Sequence, residues 1–348
     1  MRGAGAPLQQ TIFSTTGVSH ATDGLPHAAF PRLKVQAVEA LPDVFGVVCN
    51  ALGFEERARV SIERVAAVTR GEHVLAVRYD PGRGDPEIAR ILDPSDERTT
   101  YISLPSQVDL SRYSGDVLVD ITGMKTTFVW TAVKTALRER RHVWIAYTQA
   151  ARYWPSDSEV EKVLGEGSED FPADSRQLSR LRSLVSGEKG KYELVPLLGT
   201  RDDIMRPLCL IAVASPKMQR LERLIEERAF DRLEIIASDG ETPRARLSRI
   251  AGKAACVDIA AGPLHPAPTT DLCENVCLLQ ELYQSMFVEG GMDVALGLTG
   301  SKIQTVAMAG LSAAIKIAEA WYVQPSSYDQ DRYTRGAGST TYFRVSLP

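Results

Sequence analysis

Long apolar runs are missing from this 348-residue chain. No stretch approaches the ~18 to 20 apolar residues that a spanning helix requires, so no membrane association is expected. The first eight residues carry one arginine and no apolar core, unlike a secretory leader. Cysteine is scarce and odd in number. Cys49, Cys209, Cys256, Cys273 and Cys277 are scattered, which fits a reducing, cytoplasmic setting and not a disulfide framework. Cys273 and Cys277 stand four apart in a helical pattern without a second ligand pair, and read as buried thiols. The five histidines, His20, His27, His73, His142 and His265, show neither H-x-x-x-H nor H-E-x-x-H spacing. A zinc hydrolase is therefore not indicated, and neither a metal nor a cofactor is expected.

Excess positive charge is also lacking. Forty Lys and Arg against 44 Asp and Glu leave a net charge of −4. Coating genomic nucleic acid needs a basic face that displaces counterions, so that role is excluded. A small anion held by a few local cations is not. The nucleophile elbow G-x-S-x-G is absent, which removes the commonest acyl hydrolases. A full P-loop is absent, and no G-x-G-x-x-G follows the first strand; triphosphatase and dehydrogenase readings lose their support.

What is present is a soluble-protein composition, 44% hydrophobic and 24% charged, over a length that suits two domains. Residues 1–32, rich in Gly, Ala, Ser, Thr and Pro, read as an N-terminal arm. Residues 33–155 read as a first Rossmann-like domain, 156–200 as a linker with a helix near 175–185, and 201–348 as a second such domain. In the first, strands are expected at 45–49, 74–79, 101–104, 116–121 and 143–147, with a turn at Asp80-Pro81-Gly82. Helices fall at 55–68, 86–92 and 125–138. In the second, strands are expected at 209–214, 233–237, 254–259, 293–298 and 320–323, with a final edge strand at 342–345. Helices fall at 217–228, 271–287 and 302–318, and the prolines of 263–268 mark a loop. Short β-rich runs alternating with amphipathic helices predict α/β domains with mainly parallel sheets.

The halves also repeat one another. Thr122-Gly123-Met124-Lys125 matches Thr299-Gly300-Ser301-Lys302, 177 residues later, and at that spacing Trp144 falls on Trp321. Arg57 and Arg220, 163 residues apart, both open a helix after a first strand. Two matches in the same order predict tandem copies of one unit.

Each Thr-Gly-x-Lys corner follows a buried parallel strand, and ligands of open α/β sheets bind at such carboxyl ends. Glycine lets the backbone approach a ligand closely. The helix that follows offers unpaired N–H groups and a positive dipole end to an anion. Threonine adds a hydroxyl and lysine a mobile charge, while Met124 and Ser301 are expected to face the ligand or its neighbour. The plainer alternative makes Thr a cap, Gly an easy turn and Lys a solvated residue. A second element is Gly53-Phe54-Glu55-Glu56-Arg57. Glu55 or Glu56 suits a ribose hydroxyl and Arg57 a phosphate, with an ordinary charged helix start as the alternative. The second half has Ser215-Pro216-Lys217 there, smaller and more basic. Tyr153-Trp154, Tyr328 and Tyr333 follow the aromatic strands and either stack on bases or seal a domain edge.

These corners, with the polar loop after the first strand, resemble the CRISPR-associated Rossmann-fold (CARF) family, whose turn reads Thr-Gly-Gly-x-Lys or a close variant. The resemblance covers roughly 40–155 and 200–330. It implies two domains paired about a pseudo-twofold axis with a cyclic oligonucleotide between them. The contacts it implies are Gly53, Phe54, Glu55, Glu56 and Arg57, with Thr122, Gly123 and Lys125, then Ser215, Pro216 and Lys217, with Thr299, Gly300 and Lys302. Met124 and Ser301 replace the family's second glycine. No effector domain pattern is seen, so the implied role is a cytoplasmic messenger sensor in antiviral defence, serving a separate effector protein and with a homodimer possible. The alternatives are a metal-independent ring nuclease, in which Lys125 or Lys302 stabilises transition-state charge, and a structural subunit that binds nothing.

Overall fold

The computed structural model describes residues 32–51, 53–79, 90–165, 175–184, 187–199, 206–256 and 261–348. The expected arm but for residue 32, the turn at 80–82 and the start of the helix at 86–92 lie outside them. In chain order the first part runs β1 (Lys34–Val38), β2 (Val44–Ala51), α1 (Glu56–Val68), β3 (Arg70–Val77), β4 (Thr99–Ile102), β5 (Val117–Asp120), α2 (Thr126–Arg138) and β6 (Val143–Tyr153). Then come α3 (Asp157–Leu164), α4 (Ser175–Arg182) and β7 (Glu188–Leu198). The second part runs β8 (Leu208–Val213), α5 (Met218–Glu227), β9 (Arg232–Ser238), α6 (Pro243–Ala255) and β10 (Ala261–Ala267). It closes with α7 (Leu272–Tyr283), β11 (Asp293–Leu298), α8 (Lys302–Ala314), β12 (Glu319–Tyr328) and β13 (Thr334–Ser346).

Central strands are apolar on both faces because both faces are covered: β5 and β8 are buried throughout. The first sheet has the order β1-β13-β6-β5-β2-β3-β4 and the second β10-β9-β8-β11-β12-β7. Strands β2 to β6 pair in parallel, as do β8 to β12, and the two sets share one strand order. Both are the doubly wound Rossmann-like arrangement, so the α/β fold with two mainly parallel sheets is as expected.

The ends of the halves cross over. β7 follows β6 in the chain yet pairs antiparallel with β12, whereas β13 follows β12 yet pairs antiparallel with β6. Each sheet is thereby completed by the other half's next strand. Residues 342–345 consequently belong to an interior strand between β1 and β6, not to an edge. Helices α2 and α8 pack on each other. Their apolar faces, Val129, Val133, Ile303, Val306 and neighbours, join one core that runs through both sheets.

Four further expectations change. The loop expected at 263–268 is, up to residue 267, part of β10, paired in parallel with β9 at the sheet edge. An edge strand needs ladder donors on one side only, so Pro263 and Pro266 are tolerated there. Of the strand expected at 254–259, residues 254 and 255 end α6, and 257–259 lie outside the described residues. The polar stretch read as linker carries two helices and then β7, a strand of the second sheet. Finally, Leu118, four before Thr122, pairs with Trp144, whereas Ala295, four before Thr299, pairs with Glu319. The tryptophans are thus displaced by two residues, and Tyr147 and Tyr153 correspond instead to Tyr322 and Tyr328.

Candidate functional site

β5 delivers the first corner. Thr122 is fully buried; its Oγ1 accepts from the Thr148 N–H at 2.9 Å and lies 2.9 Å from Ser61 Oγ. The hydroxyl therefore ties the corner to α1 and β6 and is not presented to solvent. A side chain on Gly123 would collide with the Ala51 carbonyl and Ala58, so glycine here permits close approach to the end of β2. Gly53 stands opposite, its missing Cβ 3.0 Å from the Gly123 carbonyl. Met124 is 2% exposed and part of the core, contrary to the expectation that it faces a ligand. Its long apolar side chain follows the buried side of the turn. Lys125 is exposed, with its ammonium 4.7 Å from the Tyr79 ring. Its N–H donates to Tyr79 Oη at 2.5 Å, and that hydroxyl donates to the Gly123 carbonyl at 3.0 Å.

The second corner is built differently. Thr299 Oγ1 donates to the Val213 carbonyl at 2.6 Å. Gly300 packs against Val213 and Gln304. Ser301 is the N-cap of α8 in a capping box with Gln304, and its hydroxyl also donates to the Thr269 carbonyl at 2.8 Å. The plainer alternative casts Thr as the helix cap, and neither threonine is one: Lys125 and Ser301 are the N-caps of α2 and α8, and both threonine hydroxyls are tied to backbone groups inside the fold. Nor is Lys302 the solvated residue of that alternative. Its ammonium donates to the Thr122 carbonyl and lies 3.5 Å from Glu55 Oε1. The second half's lysine thus sits on the first half's corner.

Glu55 is the hub of that contact. It accepts from Arg57 Nε at 2.7 Å and from Thr334 of β13 at 2.6 Å. Arg57, buried in the first turn of α1, also donates to the Thr148 carbonyl and the Tyr147 and Tyr153 hydroxyls. Burial alone would raise the Glu55 carboxyl, but Lys302 and Arg57 bring it down to about 2. Glu56 points away, accepting from the Gly336 N–H at 3.2 Å.

A parallel cluster stands in the second half. Glu188, at the start of β7, takes Arg220 Nη2 at 2.5 Å and Lys217 Nζ at 2.6 Å. It too is brought down to about 2 against its burial. Ser215 accepts from the Lys217 N–H at 3.3 Å. Tyr322 and Tyr328, with hydroxyls 3.4 Å apart, match Tyr147 and Tyr153, whose hydroxyls are 3.3 Å apart. Each cluster sets two cations against one carboxylate. Burial pushes both lysines down from 10.5 to about 8, and the partner carboxylates only partly offset it. An under-neutralised cation pair at the carboxyl ends of parallel strands is a place where an added anion is stabilised.

The structure therefore brings Gly53, Glu55, Arg57, Thr122, Gly123 and Lys302 together, and joins Lys217 to Arg220. Lys125 and Glu56 remain outside these ion clusters. Glu188 escaped the sequence reading because it lies in the supposed linker. The repeated Tyr-x5-Tyr spacing at 147/153 and 322/328 was the available signal. Among the described residues no group of three or more His, Cys, Asp or Glu is placed to hold a metal, and no helix is long and apolar enough to cross a membrane. Cys273 is half-buried and Cys277 is exposed, so the pair does not read as two buried thiols.

No protein-family model matches the chain, and no curated protein does. Among solved structures, it is similar to a type III CRISPR defence DNA nuclease activated by cyclic oligoadenylate. That match has 13% identity over 84% of this chain and 67% of the other, with a TM-score of 0.45. A ketoreductase from the first module of phoslactomycin biosynthesis in Streptomyces sp. HK803 aligns over 77% of this chain and 61% of its own, at 14% identity and a TM-score of 0.21. At these values neither likeness carries an argument, and the functional reading stands on the chain's own geometry.

Proposed function

We propose that the chain is a CARF-like sensor of a nucleotide second messenger, with two tandem halves serving as a built-in dimer around one anionic cyclic oligonucleotide. The observation that carries this reading is the meeting of the corners: Lys302 of the second lies on Thr122 of the first, beside Glu55. Half-buried lysines with depressed proton affinity are poor structural ties and good anion receptors. The reciprocal exchange of β7 and β13 couples the halves, so a ligand that draws the lysines together would shift both sheets and pass the signal to a separate effector in antiviral defence.

Titration of purified protein with cyclic oligoadenylates of several ring sizes tests the reading. Tight binding without turnover is expected. Lys125→Ala and Lys302→Ala should each weaken it by about 1 to 3 kcal/mol if they contact phosphate. Unchanged affinity in both variants removes the ligand site; cleavage products would make the protein a ring nuclease instead.

A further inference from the structure

The ion clusters are roofed by aromatic rings that the corner chemistry does not use. Phe54 follows Gly53 at the carboxyl end of β2 and is 43% exposed. Of the large hydrophobic side chains exposed among the described residues, it is the aromatic one. Its ring stands 5.8 Å from that of Tyr328 and 5.6 Å from that of Tyr333, which are themselves 5.1 Å apart and edge-on. Those tyrosines end β12 and precede β13, so the three rings bridge the halves. Beneath them, the Lys217 ammonium lies 3.8 Å from the Tyr333 ring centre. On the other side, Glu55, the residue after Phe54, holds Lys302. The exposed ring is thus flanked by the two lysines whose charge burial disfavours.

We propose that Phe54, braced by Tyr328 and Tyr333, is a stacking platform for one nucleobase of the ligand whose phosphates are drawn to Lys302 and Lys217. This rests on the sensor reading above and names how the base is taken. A lone exposed apolar side chain needs no explanation. An aromatic one braced by two rings, Tyr333 edge-on and Tyr328 tilted, does: its position is held while the residue stays 43% exposed. Stacking on such a face tolerates any base, because each base has a π-face. Tyrosine hydroxyls and lysine beneath then serve the polar part of the same nucleotide. The platform is one-sided. The matching loop of the second half is Ser215-Pro216-Lys217 and offers no ring. One base per bound ligand is therefore stacked, even for a ligand with internal symmetry.

Calorimetric titration of wild type, Phe54→Ala and Phe54→Trp with a cyclic oligoadenylate and with inorganic tripolyphosphate, a base-free polyanion, tests this. Phe54→Ala should weaken oligoadenylate binding about 5- to 150-fold, the span measured for single base–aromatic stacks, and leave tripolyphosphate within about twofold. Phe54→Trp should retain or improve the oligoadenylate. Equal losses for both ligands would make Phe54 a loop brace, and no loss for either would remove the platform; both outcomes leave the anion site standing. Wild type binding neither ligand would overturn the sensor reading along with the platform.

Discussion

Replacing Lys302 by methionine separates an anion receptor from a structural tie. The methionine keeps an apolar stem of similar length but removes the charge, which is 17% exposed in the native side chain. Burial lowers the lysine from 10.5 to about 8. At about 1.4 kcal/mol per unit, this makes the charged form about 3 kcal/mol less favourable in the fold than in the unfolded chain. Below pH 8 the lysine is protonated in both states and the fold carries that cost in full. Between pH 8 and 10.5 the unfolded chain binds more protons than the folded one, so stability rises with pH until the cost is gone. Against this, the variant loses the hydrogen bond to the Thr122 carbonyl, worth about 1 to 2 kcal/mol. The balance predicts Lys302→Met to be more stable than wild type by about 1 to 2 kcal/mol at pH 7. The advantage should vanish or reverse above pH 10.5. Denaturant unfolding at the two pH values reads both numbers. A loss of 2 kcal/mol or more at pH 7 would show that Lys302 is there to hold the halves together, and the argument from stored electrostatic cost would fail.

Glu55 has the opposite sign. Its carboxyl is lowered from 4.5 to about 2, so its contribution is complete above 4.5 and disappears as pH falls through 2. Glu55→Gln should cost about 3 kcal/mol at neutral pH, with the gap from wild type closing toward pH 2 in an acid titration followed by circular dichroism. Asn50 is fully buried and both its amide oxygen and nitrogen lack a partner; it follows Cys49 as Asp120, whose Oδ2 is likewise unpaired, follows Val119, the residue paired with Cys49. Aligned on the corner threonines, the second sheet places Gly297 at the Asp120 position and pairs it with Ala212, and Leu224 fills the space over them. The fold therefore does not require this polar pocket, and Asn50→Leu should raise stability by about 1 kcal/mol in thermal unfolding; a clear loss would mean that the amide has a partner.

Much of the architecture was legible because buried parallel strands write themselves as apolar runs: 45–49 and 293–298 lie on observed strands, and 116–121 and 209–214 match theirs to within a residue at each end. The strand exchange was not legible, because local periodicity says that a segment is extended and nothing about its pairing partner. For the same reason 342–345, part of the strand Thr334–Ser346, read as an edge, and Glu188–Leu198 fell within the supposed linker. The prolines of 263–268 misled because their veto on strands holds for central positions, not for the free side of an edge. At the site, Thr-Gly-x-Lys was found correctly as a corner, but its parts divide. The threonines and glycines serve the turn, Lys302 joins the Glu55 cluster, and Lys125 lies outside it. Arg57, read as a phosphate contact or an ordinary charged helix start, and Arg220, read as its repeat, are each buried against a carboxylate and tyrosines; Glu55 is the near neighbour of Arg57, but the tyrosines of Arg57 and the Glu188 of Arg220 lie about 30 to 100 residues away.

Proton uptake on binding tests the central claim most directly. An anion placed against Lys302 and Lys217 must raise both from about 8. At pH 8, where each is about half protonated, binding of a cyclic oligoadenylate should take up about one proton in total, and close to none at pH 6.5. Calorimetry in buffers of different ionisation enthalpy reads this number. Binding heats that do not depend on the buffer at pH 8 would contradict the account.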